Sequence, residues 1–315
     1  MRRPLLLAAI LCLVAMACSS GGASDGGTTT ADPSASSATT FALQVASTDL
    51  YAGAPQRVQV GVFGSSEEGV ELLTGGTIPL SLVSGDGGDP ISGTASYVPA
   101  PGTPSPSQPG LTSPSKARGV YQLEDVTFPA AGQWQAQLSF NAAEQPIDLT
   151  DTFVVADEPA LPAPGQKALR TDNLTMTSND APMAAVDSRA QDGAKVPDSE
   201  LHQATIADAL AEHRAALVLF ATPVYCQSQF CGPSTDALEG FAKTGPSDVD
   251  YIHVEIWRDY QAQQINRAAA DWLYRNDDLT EPWLYLIGPD GVIVDRWSPL
   301  FDPAEVQKEL QKVAG

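Results

Sequence analysis

Hydrophobic and polar positions follow different rhythms in the two halves of the chain. Across residues 41–156, apolar residues alternate with polar or small ones over short runs at 42–45, 57–62, 78–83, 119–123, 134–138 and 151–155. A period of two sends successive side chains to opposite faces of a strand, and Gly and Pro punctuate the runs. This half therefore reads as an all-β antiparallel sandwich of six or seven short strands. A proline-rich stretch, residues 84–115, interrupts the pattern and is expected to be a mobile loop.

Beyond a proline-bearing linker at 157–177, with Pro159, Pro162 and Pro164, strand and helix signals alternate. Thr205 and Asp208 make a capping box for a helix with Ile206, Ala209 and Leu210 on one side, and a wholly apolar strand follows at 215–221. Pro223 ends that strand, and Gly232-Pro233 opens a helix through Leu238 and Phe241. Residues 249–257 read as a strand. Asp259 caps a helix bearing Ile265, Ala269, Trp272 and Leu273, residues 283–287 and 292–296 form a hairpin around Gly288-Pro289-Asp290-Gly291, and Asp302-Pro303 starts a terminal helix. Of the histidines, His202 and His213 are expected on the solvent face of the helix near Thr205. His253 lies on the strand face opposite Ile252, Val254 and Ile256, where a satisfied, partly buried imidazole is expected rather than a ligand.

The N-terminus changes the picture of where this chain resides. Arg2 and Arg3 precede an apolar run at 5–15, too short to span a bilayer, and small residues lead to Cys18. Val14-Ala15-Met16-Ala17-Cys18-Ser19 resembles a bacterial lipobox, which implies that residues 1–17 are a lipoprotein signal peptide. It also implies that Cys18 is lipidated, the palmitate and its companion chains anchoring the protein at the extracytoplasmic face of the cell membrane. An ordinary secretory leader with an incidental cysteine would export the chain equally. Residues 18–40, almost wholly Ser, Gly, Ala, Thr, Asp and Pro, cannot bury enough apolar surface to offset chain entropy and form a disordered tether.

The chain carries 17 Lys and Arg against 38 Asp and Glu. Loss of Arg2 and Arg3 with the leader moves the formal balance from −21 to 15 − 38 = −23. That surplus excludes nucleic acid and polybasic lipid binding.

Four cysteines are present, Cys12, Cys18, Cys226 and Cys231. Cys12 leaves with the leader. With Cys18 lipidated, Cys226 and Cys231 are each other's only intramolecular partners, and outside the cytosol a nearby pair rests as a disulfide. Their spacing has geometric consequences: on a continuous helix, five residues separate side chains by roughly 140° and about 7.5 Å of rise. Bridged cysteines need Cα atoms within about 7 Å, so a bridge requires residues 227–230 to form a loop.

The apolar strand delivering Cys226 and Cys231, with Pro282 entering a β-rich hairpin far downstream, resembles the thioredoxin fold. More narrowly it is similar to membrane-tethered thiol-disulfide oxidoreductases of the TlpA type, over about residues 165–315. Gly119-Val120-Tyr121 through Trp134 resembles immunoglobulin-like modules. The implied architecture is an α/β thioredoxin-like domain at 178–315 preceded by an immunoglobulin-like β-sandwich at 41–156. The first resemblance implies a redox-active dithiol, Cys226 and Cys231, with Glu281 and a cis Pro282 binding the substrate backbone. Protein thiols or disulfides would be the substrates, with no cofactor and no metal.

The spacing departs from the family's C-x-x-C and leaves two alignments open. Cys226 matches the nucleophile by its distance from the strand, with Tyr225 where Trp is usual. Phe230-Cys231-Gly232-Pro233-Ser234 matches W-C-G-P-C, which makes Cys231 the nucleophile at the helix start, puts Ser234 in the resolving position and adds Cys226 as a resolver. The family's acidic residue in the strand before the dithiol maps to Leu219, so a buried proton-relaying carboxylate is expected to be missing. Two other functions remain open: a non-catalytic interaction lipoprotein stapled by a structural disulfide, and a copper-handling thioredoxin-like protein, which would require His253 or a methionine as a further ligand.

Overall fold

A computed structural model of the chain describes residues 39–67, 69–142 and 145–314. The leader, Cys12, Cys18 and the tether up to residue 38 lie outside the described residues.

Alternation in the first half produces more strands than it marked. They are β1 (Thr40–Val45), β2 (Gln56–Ser66), β3 (Gly69–Thr74), β4 (Thr77–Ser84), β5 (Ile91–Pro99), β6 (Gly110–Thr112), β7 (Gly119–Val126), β8 (Gly132–Ala142) and β9 (Gln145–Val155). Instead of two separate sheets they form one antiparallel sheet, ordered β6-β3-β2-β7-β5-β4-β8-β9, with β1 also paired to β2. The reason lies in β2, which is 11 residues long. Its first part pairs with β7 and its last part with β3, so one continuous sheet runs through both pairings. The Val45 amide donates to Asp151 Oδ2 at 2.7 Å and ties β1 to β9. Val58, Val60, Leu80, Leu82, Tyr121, Trp134 and Leu138 fill the space enclosed.

The stretch at 84–115 is not simply a loop, because it contains β5 and β6. Ser92, Gly93 and Thr94 mute the apolar alternation of β5, yet Ala95, Tyr97 and Val98 are buried. Gly93 packs against Leu123: a Cβ there would lie 2.6 Å from Leu123 Cδ1, which would have to shift.

The linker is also fastened down. Asp49 accepts hydrogen bonds from the Ala160 and Leu161 amides at 2.9 and 3.1 Å, and Arg296 Nη1 donates to Asp49 Oδ2 at 2.7 Å. Leu161 joins the core of the second half.

That half holds 3₁₀ turns at Met183–Ala185, Ser188–Gly193 and Ser199–His202, then α1 (Ile206–Ala211), β10 (Ala215–Ala221), α2 (Cys231–Thr244) and β11 (Val249–Glu255). Next come the short strands β12 (Trp257–Asp259) and β13 (Gln264–Ile265), α3 (Arg267–Leu273), and β14 (Tyr274–Arg275) with β15 (Asp278–Leu279). The chain ends with β16 (Trp283–Ile287), β17 (Ile293–Trp297) and α4 (Pro303–Val313). The main sheet runs β11-β10-β16-β17, with β10 parallel to β11 and antiparallel to β16. Every residue of β10 is buried. Ala216, Val218 and Phe220 face Trp272 and Ala269 of α3, while Leu217, Leu219 and Ala221 face Leu238 and Phe241 of α2 and Val306 and Leu310 of α4. Apolar residues on both faces explain why β10 reads as a run without alternation.

The capping box expected at α1 is present, with Thr205 Oγ1 accepting from the Asp208 amide at 2.9 Å. The helix expected from Asp259 begins later, at Arg267 with Asn266 as its cap, because Trp257–Asp259 and Gln264–Ile265 pair as strands. Asn266 Nδ2 donates to Ala185 O and Glu255 O, both at 2.8 Å, which anchors that later start.

The two halves share a polar and an apolar seam. Arg57 pairs with Asp295 at 2.7 Å and with Glu305, and lies over the Trp297 ring. Gln59 Nε2 donates to Leu300 O at 2.8 Å, and the Leu300 amide donates back to Gln59 Oε1 at 3.2 Å. Leu300 and Phe230 pack against Val98, Ala100 and Val120. Among the described residues no helix is long and apolar enough to cross a membrane.

Candidate dithiol site

β10 ends at Ala221, and the chain leaves the sheet through Thr222 and Pro223 into an exposed loop that returns at Cys231, the first residue of α2. Cys226 and Cys231 are joined by a disulfide with a Cα–Cα distance of 5.9 Å. They share no helix, as the spacing requires. Gln229 has φ of 63°, the left-handed backbone that turns the loop back toward Phe230.

The two sulfurs are not equivalent. Cys231 is fully buried, whereas Cys226 is partly exposed. The Cys231 amide, one of the free donors at the start of α2, points to Cys226 Sγ at 3.3 Å, and Ser228 Oγ lies 3.2 Å from the same sulfur. The helix terminus therefore serves the sulfur outside the helix. Ser234, one turn along α2, is buried with no hydrogen-bond partner for its hydroxyl.

A carboxyl stands beside the dithiol. An oxygen of Glu281 and both sulfurs lie within 4.8 Å of one another. Glu281 Oε2 is buried without a hydrogen-bond partner. Burial, reinforced by the Glu255 charge and opposed by a hydrogen bond with the Thr222 backbone, pushes the Glu281 carboxyl up to about 8. The Glu281–Pro282 peptide is cis, and Pro282 is buried at the entry to β16.

The expectation that no buried carboxylate accompanies the dithiol is thus corrected. Leu219 is indeed apolar, but acids reach the site from other strands: Glu281 precedes β16 and Glu255 ends β11. Glu255 is 2% exposed, and its carboxylate accepts from the Ser188 amide at 2.8 Å and the Trp257 amide at 3.2 Å. Burial pushes its carboxyl up, opposed by the neighbouring His253 ring and by hydrogen bonds from Thr222 and Ser188. Glu255 shares a strand face with His253, and a charged side chain opposite Val254 and Ile256 was the available signal for it.

The expectation for His202 is also corrected. It closes the Ser199–His202 turn, ahead of α1, and is fully buried, while His213 is exposed as expected. His253 is fully buried too, with Nε2 at 3.0 Å from Ala221 O at the foot of the dithiol loop.

Beside the loop that carries the dithiol lies an open cleft of about 1060 Å³, lined by Tyr225 and Gln227 to Phe230 but by neither cysteine. Tyr225, Phe230, Trp257, Tyr260 and Glu281 line one side, and Val45, Phe63, Leu72 and Arg118 of the first half line the other. Tyr225 and Tyr260 stack with ring centroids 3.9 Å apart, and the Tyr225 hydroxyl donates to Gln191 Oε1 at 2.8 Å. Arg118 Nη1 donates to Gln229 Oε1 at 2.9 Å, so the first half both walls the cleft and grips the loop between the cysteines. Comparison with protein-family models, with curated proteins and with solved structures found no match to this chain.

Proposed function

We propose that the chain is an exported thiol-disulfide oxidoreductase, lipid-anchored through Cys18, whose second half is thioredoxin-like and whose redox centre is Cys226–Cys231. The observation that carries this reading is the pairing of a partly exposed sulfur, Cys226, with the Glu281 carboxyl, whose Oε2 is buried without a hydrogen-bond partner. In the reducing direction the Cys226 thiolate attacks a substrate disulfide, forming a mixed disulfide and expelling one substrate thiolate. Cys231 then attacks the Cys226 sulfur, which closes the internal disulfide and releases the second substrate thiolate. Two electrons pass from the dithiol to the substrate, and the reverse sequence oxidises a substrate dithiol. A carboxyl near 8 is matched to a thiol, so Glu281 can take the Cys231 proton or return one to a leaving thiolate. The strand order β11-β10-β16-β17, with the dithiol at the β10–α2 junction, supports the thioredoxin-like reading.

The cleft suits an extended protein segment lying between the aromatic rim and the first sheet, against the loop residues that flank Cys226. On this reading the first half is a wall of the substrate site rather than a spacer.

The full burial of Cys231 favours one alternative, an interaction lipoprotein in which the bridge only staples the loop. Equilibration with glutathione or dithiothreitol buffers separates the two. A midpoint between about −120 and −270 mV supports the oxidoreductase, and one below about −300 mV supports the staple.

A further inference from the structure

Behind the dithiol, and independent of its reactivity, three fully buried side chains converge. Asp187 precedes the Ser188–Gly193 turn, His202 closes the Ser199–His202 turn, and His253 sits in the middle of β11. One donor atom from each lies within 4.8 Å of the other two. Asp187 Oδ2 is 3.3 Å from His202 Nε2 and 3.7 Å from His253 Nδ1, the second too long for a hydrogen bond. The two imidazoles stand edge to face with centroids 5.1 Å apart.

The chemistry of His253 narrows what this arrangement holds. Its Nε2 lies 3.0 Å from Ala221 O, and a carbonyl oxygen only accepts, so Nε2 carries the proton. In the neutral ring Nδ1 is then a bare lone pair aimed at a carboxylate oxygen, a repulsive contact in a buried site unless something positive lies between them. His202 Nδ1 has no hydrogen-bond partner and does not discriminate. Ligands at about 2.0–2.2 Å from a tetrahedral centre stand about 3.4 Å apart, which is the scale of both observed separations. We propose that Asp187 Oδ2, His202 Nε2 and His253 Nδ1 bind one divalent transition-metal cation of the Zn²⁺ class, leaving a fourth position for water.

The surroundings support this assignment. Arg189 Nη2 pairs with Asp187 Oδ2 at 2.7 Å and with Asp198 Oδ2 at 2.6 Å, so one guanidinium is shared between two carboxylates. Arg189 holds both oxygens of the Asp187 carboxylate: Nε donates to Oδ1 at 3.0 Å and to Oδ2 at 3.2 Å, and Nη2 donates to Oδ2 at 2.7 Å. The Arg189 amide adds a bond to Oδ1 at 2.9 Å. Such outer partners orient a ligating carboxylate. A cation here bolts the turns at 183–202 onto β11 beneath the dithiol loop, whose Val224 amide donates to Ser188 Oγ at 3.2 Å. Imidazole with carboxylate suits Zn²⁺ rather than a soft monovalent ion.

The full chain, stripped with a chelator and kept oxidised so that the sulfurs of Cys226 and Cys231 cannot ligate, is titrated with Co²⁺ and then Zn²⁺. The expected result is one Co²⁺ per chain with a visible absorption band, displaced by Zn²⁺. Affinity is expected to fall at least about 100-fold in His202→Gln, His253→Gln and Asp187→Asn. Imidazole ¹⁵N spectra of the wild type serve if these variants do not fold, and should show His253 protonated at Nε2 alone with Nδ1 shifted on metal addition. Absence of metal uptake by the folded wild type, with His253 protonated at both nitrogens, overturns the assignment in favour of an imidazolium–carboxylate pair. Undiminished uptake in folded variants overturns it as well.

Discussion

The carboxyl of Glu281 and the sulfur of Cys226 lie within 4.8 Å of each other although 55 residues separate them and neither belongs to the strand that leads into the dithiol loop. Strand β10 runs between β11 and β16, so the ends of its two neighbours deliver Glu255 and Glu281 to the point where the chain leaves the sheet. The acid–thiol pairing follows from sheet order.

Glu281 makes stability depend on pH. Its native carboxyl titrates at about 8, whereas an unfolded Glu titrates near 4.3. Between those values the native state holds a proton that the unfolded chain has lost, so stability is full below about 4.3 and falls as pH rises through about 8. The loss should be on the order of a few kcal/mol. Urea unfolding at pH 5, 7 and 9 should show a steeper decline for the wild type than for Glu281→Gln. Parallel declines would mean that Glu281 is ordinarily solvated. Glu255 shifts in the same direction and should leave a smaller slope in the variant.

Alkylation of the reduced protein should strike Cys226 before Cys231. Position at the start of α2 would favour Cys231, but that side chain is fully buried and its own amide points to the Cys226 sulfur. Peptide mapping after a brief iodoacetamide pulse reads the order. Cys231→Ser should accumulate mixed disulfides with substrate on Cys226, and Cys226→Ser should accumulate few. Faster labelling at Cys231 would reverse the roles.

Asp49→Ala should be among the most disruptive substitutions outside the dithiol site. Asp49 and Arg296 are each 8% exposed in their side chains, and Asp49 also holds the amides of Ala160 and Leu161. Leaving a buried guanidinium unpaired costs about 3–5 kcal/mol. The urea midpoint should fall accordingly, and limited proteolysis should open sites within 157–177. An unchanged midpoint with a resistant linker would show that the pair contributes nothing net.

Cys18→Ala should move the protein from the membrane fraction to the soluble extracytoplasmic fraction, because the acidic surface offers anionic lipid no attraction. Fractionation with detergent phase partitioning reads this directly. Retention at wild-type level would leave no place for a lipid anchor.

Residue order alone determined several local features of the second half. The wholly apolar run ending at Pro223 became β10, Gly232-Pro233 marked the first turn of α2, Thr205 with Asp208 capped α1, and Asp302-Pro303 opened α4. Each is a short-range effect, set by φ limits, free amides at helix ends or the face a side chain must bury. The C-x-x-x-x-C spacing likewise required a loop between the cysteines, because a helix would hold their sulfurs apart.

Only tertiary structure decided the rest, because it depends on which strands become neighbours. β5 lay hidden in a stretch that reads as loop, since Ser92, Gly93 and Thr94 break its apolar alternation and pairing with β4 and β7 makes it a strand. A break between two sheets disappeared because β2 is long enough to pair with β7 and with β3 in turn. Glu281, His202 and the β11 pair His253 and Glu255 come from separate segments, so nothing along the chain announces that Glu281 reaches the dithiol, that His253 and Glu255 meet Ala221, or that His202 meets His253. The burial of Cys231 depends on how α2 packs against β10, and the exposure of Cys226 on a loop that Arg118 of the first half grips and whose Phe230 packs against Val98, Ala100 and Val120.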